Sequence, residues 1–109
     1  MGMKIKSDGI DFADIATQNA FFRTKDVDKN LYKHLVAALD NIRENAFCGI
    51  QIPKNLIPKK YAHHDNLWKY NLPDAWRLIY TIKSPKRVEV ISVILDWMNH
   101  KNYERTFRY

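Results

Sequence analysis

Residues 66–82 read NLWKYNLPDAWRLIYTI, and how this stretch pairs with itself decides the fold. Two runs rich in aromatic and β-branched residues flank Pro73-Asp74, a turn signal, so the pair reads as an antiparallel hairpin. On one face of the first run stand Trp68, Tyr70 and Leu72, on the other Lys69 and Asn71. In the second run Trp76, Leu78, Tyr80 and Ile82 share a face, opposed by Arg77, Ile79 and Thr81. Residues directly across a hairpin share a side. A two-residue loop would set Tyr70 against Arg77 and mix charge into the aromatic face. A three-residue loop, Pro73-Asp74-Ala75, sets Leu72 against Trp76 and Asn71 against Arg77. Only that register keeps the large apolar residues together, as burial demands. It predicts Lys69, Asn71 and Arg77 on one face, away from whatever covers the aromatic side.

Outward from the hairpin, VEVISVIL (88–95) reads as a third strand, joined by KSPKR. It is followed by DWMNHKNYERTFRY (96–109), a short C-terminal helix or tail. Upstream, GIQIPKNLIPKKYAHHDN (49–66) carries two prolines and no sustained period, so a long connector with about one helical turn is expected. DKNLYKHLVAALDNIREN (28–45) is a helix. Leu31, Leu35, Leu39 and Ile42 recur at helical spacing, with Val36 and Ala38 widening the stripe. Asp26 or Asp28 caps its start and Gly49 lies past its end. DFADIATQNAFF (11–22) reads as a shorter helix with Phe12, Ile15 and Phe22 apolar, and MKIKS as a strand. The expected fold is α+β: one domain over 1–109, an N-terminal helical hairpin packed on one face of a small antiparallel sheet.

The chain has 109 residues, 46% of them apolar, enough for one core and one domain. No run approaches the ~18 apolar residues of a membrane span, and the N-terminus lacks the apolar middle of a signal peptide. A cytoplasmic protein is the expectation. Cys48 is the sole cysteine, which excludes an intrachain disulfide. His63-His64 does not suggest a metal site, because neighbouring residues point apart and no third ligand is near; neither metal nor cofactor is expected.

The net charge of +6 is unevenly distributed. Residues 1–47 hold seven basic and seven acidic side chains, and residues 48–109 hold eleven basic against five acidic. A basic half points to a polyanion, since neutralised phosphates release counterions. On the sheet, Arg77 offers a planar fork matched to phosphate and Lys69 a point charge. Just past the third strand come His100, Lys101 and Tyr103, groups that carry or donate a proton. If these sets converge, they suit metal-free cleavage of RNA, in which a 2′-hydroxyl attacks the adjacent phosphate. Lys54, Lys59, Lys60 and Arg105 are candidates to hold the RNA strand.

The segments LWKY (67–70), WRLIY (76–80) and HKNY (100–103), at this spacing, resemble the RelE/ParE toxin superfamily, and within it RelE-like ribonucleases of type II toxin–antitoxin pairs. LDNIRENAFCGIQIPKNLIP is similar to the segment that often precedes them. The resemblance covers roughly residues 66–106. It implies messenger RNA cleavage, often on the ribosome, and neutralisation by a cognate antitoxin protein. It implies that Arg77 holds the scissile phosphate, with Lys69 a basic position beside it. His100 and Tyr103 would serve proton transfer or stacking, and Lys101 stands where many relatives carry Arg. Asn71 occupies a position that is basic in some relatives, and no Glu stands in an obvious general-base position. Two rivals remain: a toxin of the kind that poisons DNA gyrase, which lacks the nuclease residues, and a non-catalytic basic RNA-binding module.

Overall fold

The computed structural model describes residues 8–84 and 89–108. In chain order they form β1 (Gly9–Phe12), α1 (Ile15–Val27), α2 (Lys29–Glu44), β2 (Ile50–Gln51), β3 (Trp68–Asn71), β4 (Arg77–Lys83), β5 (Ile91–Met98) and α3 (His100–Phe107). Two 3-10 turns, Lys54–Leu56 and Lys59–Tyr61, punctuate the connector, where one turn was expected. The strand expected at MKIKS lies outside the described residues.

The helical hairpin is set by two aspartates. Asp14 caps α1 by accepting from the Thr17 amide at 2.7 Å. Asp28 closes α1 through its own N–H to the Thr24 carbonyl at 2.8 Å. Its carboxylate then accepts from the Leu31 amide at 3.1 Å and opens α2. One residue thus serves both helices and makes the reversal sharp. Helix α1 starts later and runs further than the 11–22 expected, because residues 9–12 are claimed by the sheet. Phe21, not Phe22 or Ile15, turns inward; Phe22 remains 52% exposed.

The sheet order is β1-β5-β4-β3-β2. Strands β2 to β5 pair antiparallel, and β1 adds a parallel edge beside β5. The β3–β4 register is Trp68 with Tyr80, Lys69 with Ile79, Tyr70 with Leu78 and Asn71 with Arg77. That is the three-residue loop required by burial. Leu72 N–H closes it on the Trp76 carbonyl at 2.9 Å. Asp74 and Ala75 adopt left-handed backbone to make the reversal, at φ 60° and 61°.

The main core lies between the helices and one sheet face, where Phe21, Leu31, Leu35, Ala38 and Ile42 meet Leu72, Leu78, Tyr80 and Ile94. Each leucine, isoleucine or phenylalanine among them contributes about 1.5–3 kcal/mol on burial. The opposite face is more apolar than expected. Ile79 shares it with Lys69 and Arg77, and a second cluster forms there from Ile52, Tyr61, Leu67, Met98, Tyr103 and Phe107. The connector and α3 fold across this face to cover it.

Gly49 does not cap α2. That helix ends at Glu44 with Asn45 as its extended cap. Gly49 instead lies against the sheet, where its N–H donates to the buried Tyr80 hydroxyl at 3.1 Å. The same hydroxyl donates to the Ala46 carbonyl at 2.8 Å, tying the exit of α2 to β4.

Candidate functional site

The hairpin register places Lys69 and Arg77 on the face that carries α3. Arg77 pairs across β4–β5 with Met98, the last residue of β5. The chain reverses there, Asn99 caps α3 by accepting from the Asn102 amide at 2.9 Å, and the helix returns over the sheet. Tyr103 is thereby laid against both cations. Lys69 Nζ donates to its hydroxyl at 3.0 Å and lies 5.0 Å from the ring centroid. The hydrogen bond is the better description of that contact, since the ammonium sits at the hydroxyl end. The Arg77 guanidinium carbon lies 5.3 Å from the same centroid, within cation–π range.

Arg77 is held by one further bond, Nη1 to the Trp76 carbonyl at 3.2 Å. Its Nε–H is buried and has no acceptor among the described residues. A buried donor without a partner costs about 1–3 kcal/mol.

Three of the expected site residues therefore converge from three elements. Tyr103 is 3% exposed and stacked on Phe107 at 4.4 Å, with its ring against Arg77 and its hydroxyl on Lys69. His100 opens α3 at the same end of the sheet but faces solvent. Its side chain is 56% exposed and Nε2 meets Glu104 Oε1 at 2.6 Å, a pairing one turn along the helix. Lys101 and Arg105 are exposed on α3. Lys54, Lys59 and Lys60 are exposed on the two turns of the connector, which Ile52, Ile57 and Tyr61 hold to this same face.

Sequence reading missed Asp96, because it ended the third strand at Leu95. The strand runs on to Met98, with a bulge opposite Ile79 and Tyr80. Tyr80 pairs with Ile94, whereas Ile79 pairs with Asp96, so Leu95 is the extra residue. Simple alternation from Ile94 would send Asp96 into the main core. The bulge re-aims it to the α3 face and returns Trp97 to the helices, edge-on to Phe21 at 6.4 Å. Asp96 accepts from the Trp97 amide at 2.9 Å, and the Tyr61 hydroxyl lies at the outer limit of bonding, 3.5 Å. Burial pushes the Asp96 carboxyl above its ordinary range, against the Trp97 N–H, the charge of Lys60 and the Tyr61 hydroxyl. Burial, then the Asp96 charge, holds the Tyr61 phenol well above its own. The one signal available in the sequence was a lone acid inside VILDWM.

A raised carboxyl costs the folded state stability when it ionises. Its favourable contribution is complete below the unfolded pKa and is lost as pH rises through the folded value. Asp96→Asn is therefore expected to melt higher than wild type at neutral pH, with the gap closing in acid. Thermal melts of both proteins across pH 3–7 read this directly, and a variant melting below wild type at pH 7 would contradict it.

His63 and His64 were expected to point apart. They lie ring to ring at 4.0 Å instead, since they sit in a turn and not in a strand. Even so, the described residues contain no group of three His, Cys, Asp or Glu side chains that could hold a metal ion. No described helix is long and apolar enough to cross a membrane. Comparison with models of protein families, with curated proteins and with solved structures finds nothing that matches this chain.

Proposed function

We propose that the chain is a RelE-like toxin, an endoribonuclease that cleaves messenger RNA without a metal. The observation that carries this reading is the meeting of Lys69, Arg77 and Tyr103 from β3, β4 and α3. The scissile phosphate docks on the Arg77 fork, and Lys69 swings from the Tyr103 hydroxyl to a second oxygen. The 2′-hydroxyl gives its proton to a base as its oxygen bonds to phosphorus. The bond from phosphorus to the 5′-oxygen breaks, and that oxygen takes a proton. Products are a 2′,3′-cyclic phosphate and a 5′-hydroxyl end. Arg77 and Lys69 stabilise the charge that builds on the phosphoryl oxygens. His100, oriented by Glu104, is the proton-transfer group. Exposed Lys54, Lys59, Lys60, Lys101 and Arg105 hold flanking RNA or ribosomal RNA, and an acidic antitoxin segment would cover them.

Messenger RNA incubated with the protein in EDTA, with and without ribosomes, tests the reading. Cuts bearing 5′-hydroxyl ends are the expected result. One observation favours a second reading, a basic RNA-binding module without catalysis: the His100 imidazole turns to solvent and is engaged by Glu104. That reading expects salt-sensitive binding and intact RNA afterwards.

A further inference from the structure

Strand β4 carries Arg77 at one end and Lys83 at the other. The Lys83 end opens onto two adjoining hollows that share Ile82 and Ser84. The first, about 520 Å³, is bordered by His63, His64, Asp65 and Lys83. The second, about 460 Å³, is bordered by Phe47, Gln51, Asn66 and Trp68. Each lies in the size range of small-molecule sites, about 300–1,000 Å³.

Their chemistry differs in kind. In the second, Phe47 and Trp68 stack nearly parallel, 6° apart with centroids 5.3 Å distant. Phe47 remains 45% exposed although it is a large apolar ring, so it offers a flat face to solvent. Trp68 Nε1–H is buried and has no acceptor among the described residues. An exposed aromatic face at the mouth of a hollow suits a heterocyclic base, whose ring stacks upon it. In the first hollow, two imidazoles and an ammonium face one space. Burial, and then the charges of His63 and Lys83, hold the His64 imidazole below its ordinary range, with Asp65 acting in the opposite sense. A phosphate placed there gains the Lys83 charge and can accept from imidazole N–H groups.

We infer that this groove, at the end of the sheet remote from Arg77 and Tyr103, binds a nucleoside monophosphate unit. The base lies at Phe47 and Trp68, and the phosphate lies at Lys83, His63 and His64. The inference does not rest on the ribonuclease reading, since a chain that cleaves no RNA can still hold a nucleotide here.

The three tryptophans make the test direct. The protein, labelled with nitrogen-15, is titrated with AMP. The Trp68 indole N–H resonance is expected to move saturably, with those of Trp76 and Trp97 unmoved. Phe47→Ala, Lys83→Ala and His63→Ala should each weaken binding about fivefold or more, the scale of a lost stacking or phosphate contact, while Arg23→Ala, exposed on α1, leaves it unchanged. Tetra-adenylate run alongside distinguishes the source: tighter binding than AMP assigns a nucleotide within a strand, weaker binding a free one. A Trp68 resonance that stays in place at millimolar AMP overturns the proposal. So does adenosine or inorganic phosphate binding as tightly as AMP, or wild-type affinity in both Phe47→Ala and Lys83→Ala.

Discussion

Arg77→Ala is expected to lower RNA cleavage by about 10²–10³ while the protein still folds, the loss typical of removing one preorganised donor to a developing oxyanion. The guanidinium is positioned before substrate arrives. Its Nη1 is tethered to the Trp76 carbonyl at 3.2 Å, and its plane is steadied by the Tyr103 ring. Its Nε–H is buried without an acceptor among the described residues, so it is the outer guanidinium nitrogens that would meet the phosphate. Arg77→Lys should recover little, because an ammonium cannot reproduce a planar two-point grip. Folding has less at stake. The substitution removes a buried donor that has no acceptor, which partly offsets the lost bond and ring contact. Cleavage rate and melting temperature measured on the same preparation separate the two effects. Equal cleavage by Arg77→Ala and wild type would falsify the assignment, and a collapse in melting temperature would make Arg77 a structural residue.

The second large effect concerns stability. A Cβ added at Gly49 would lie 2.6 Å from the Lys69 carbonyl oxygen and 2.7 Å from the Tyr80 hydroxyl. Neither neighbour gives way easily. The first is backbone in β3, and the second belongs to a fully buried side chain bonded at both sides. Gly49→Ala must therefore open the β2–β3 edge or break the Tyr80 bonds to Ala46 and Gly49. Overpacking alone costs about 1–3 kcal/mol, and an unsatisfied buried group about 1–3 more. The midpoint of chemical denaturation should fall with little change in slope. Tyr80→Phe on the Gly49→Ala background checks the cause. It removes one of the two obstructing atoms, so the double variant should lose less than the sum of the singles. Full additivity would mean that the clash with Tyr80 is not the source.

Several elements were legible before any coordinates. Leu31, Leu35 and Ile42 recur with helical spacing and are buried on α2. The hairpin register followed from one requirement, that Trp68, Tyr70, Trp76 and Leu78 avoid sharing a face with Arg77. Lys69 and Arg77 could be placed on one surface for the same reason. These are local inferences. Periodicity of two or 3.6 residues, combined with burial, leaves few alternatives over short stretches.

Other features were out of reach because they depend on contacts between distant segments. The parallel pairing of Gly9–Phe12 with Ile91–Ile94 joins the two ends of the domain, and nothing in either strand names its partner. The bulge that re-aims Asp96 is a one-residue mismatch between β4 and β5, invisible in β5 alone. Gly49 read as a helix stop because its true constraint, the approach of Tyr80 and Lys69, comes from strands that follow it. His63 and His64 read as diverging because strand alternation was assumed where the chain turns.

The α+β class, the helical hairpin, the β3–β4 register and the common face of Lys69 and Arg77 are all written in local residue pattern, since each follows from covalent periodicity and the cost of exposing apolar surface. The meeting of Tyr103 with both cations, the pairing of solvent-facing His100 with Glu104 and the exit of Asp96 from the core are not written there. Those outcomes depend on where α3 and the connector come to rest on the sheet. That is settled by the packing of Ile52, Tyr61, Ile79, Met98 and Phe107, a balance among segments remote in the chain that no local pattern encodes.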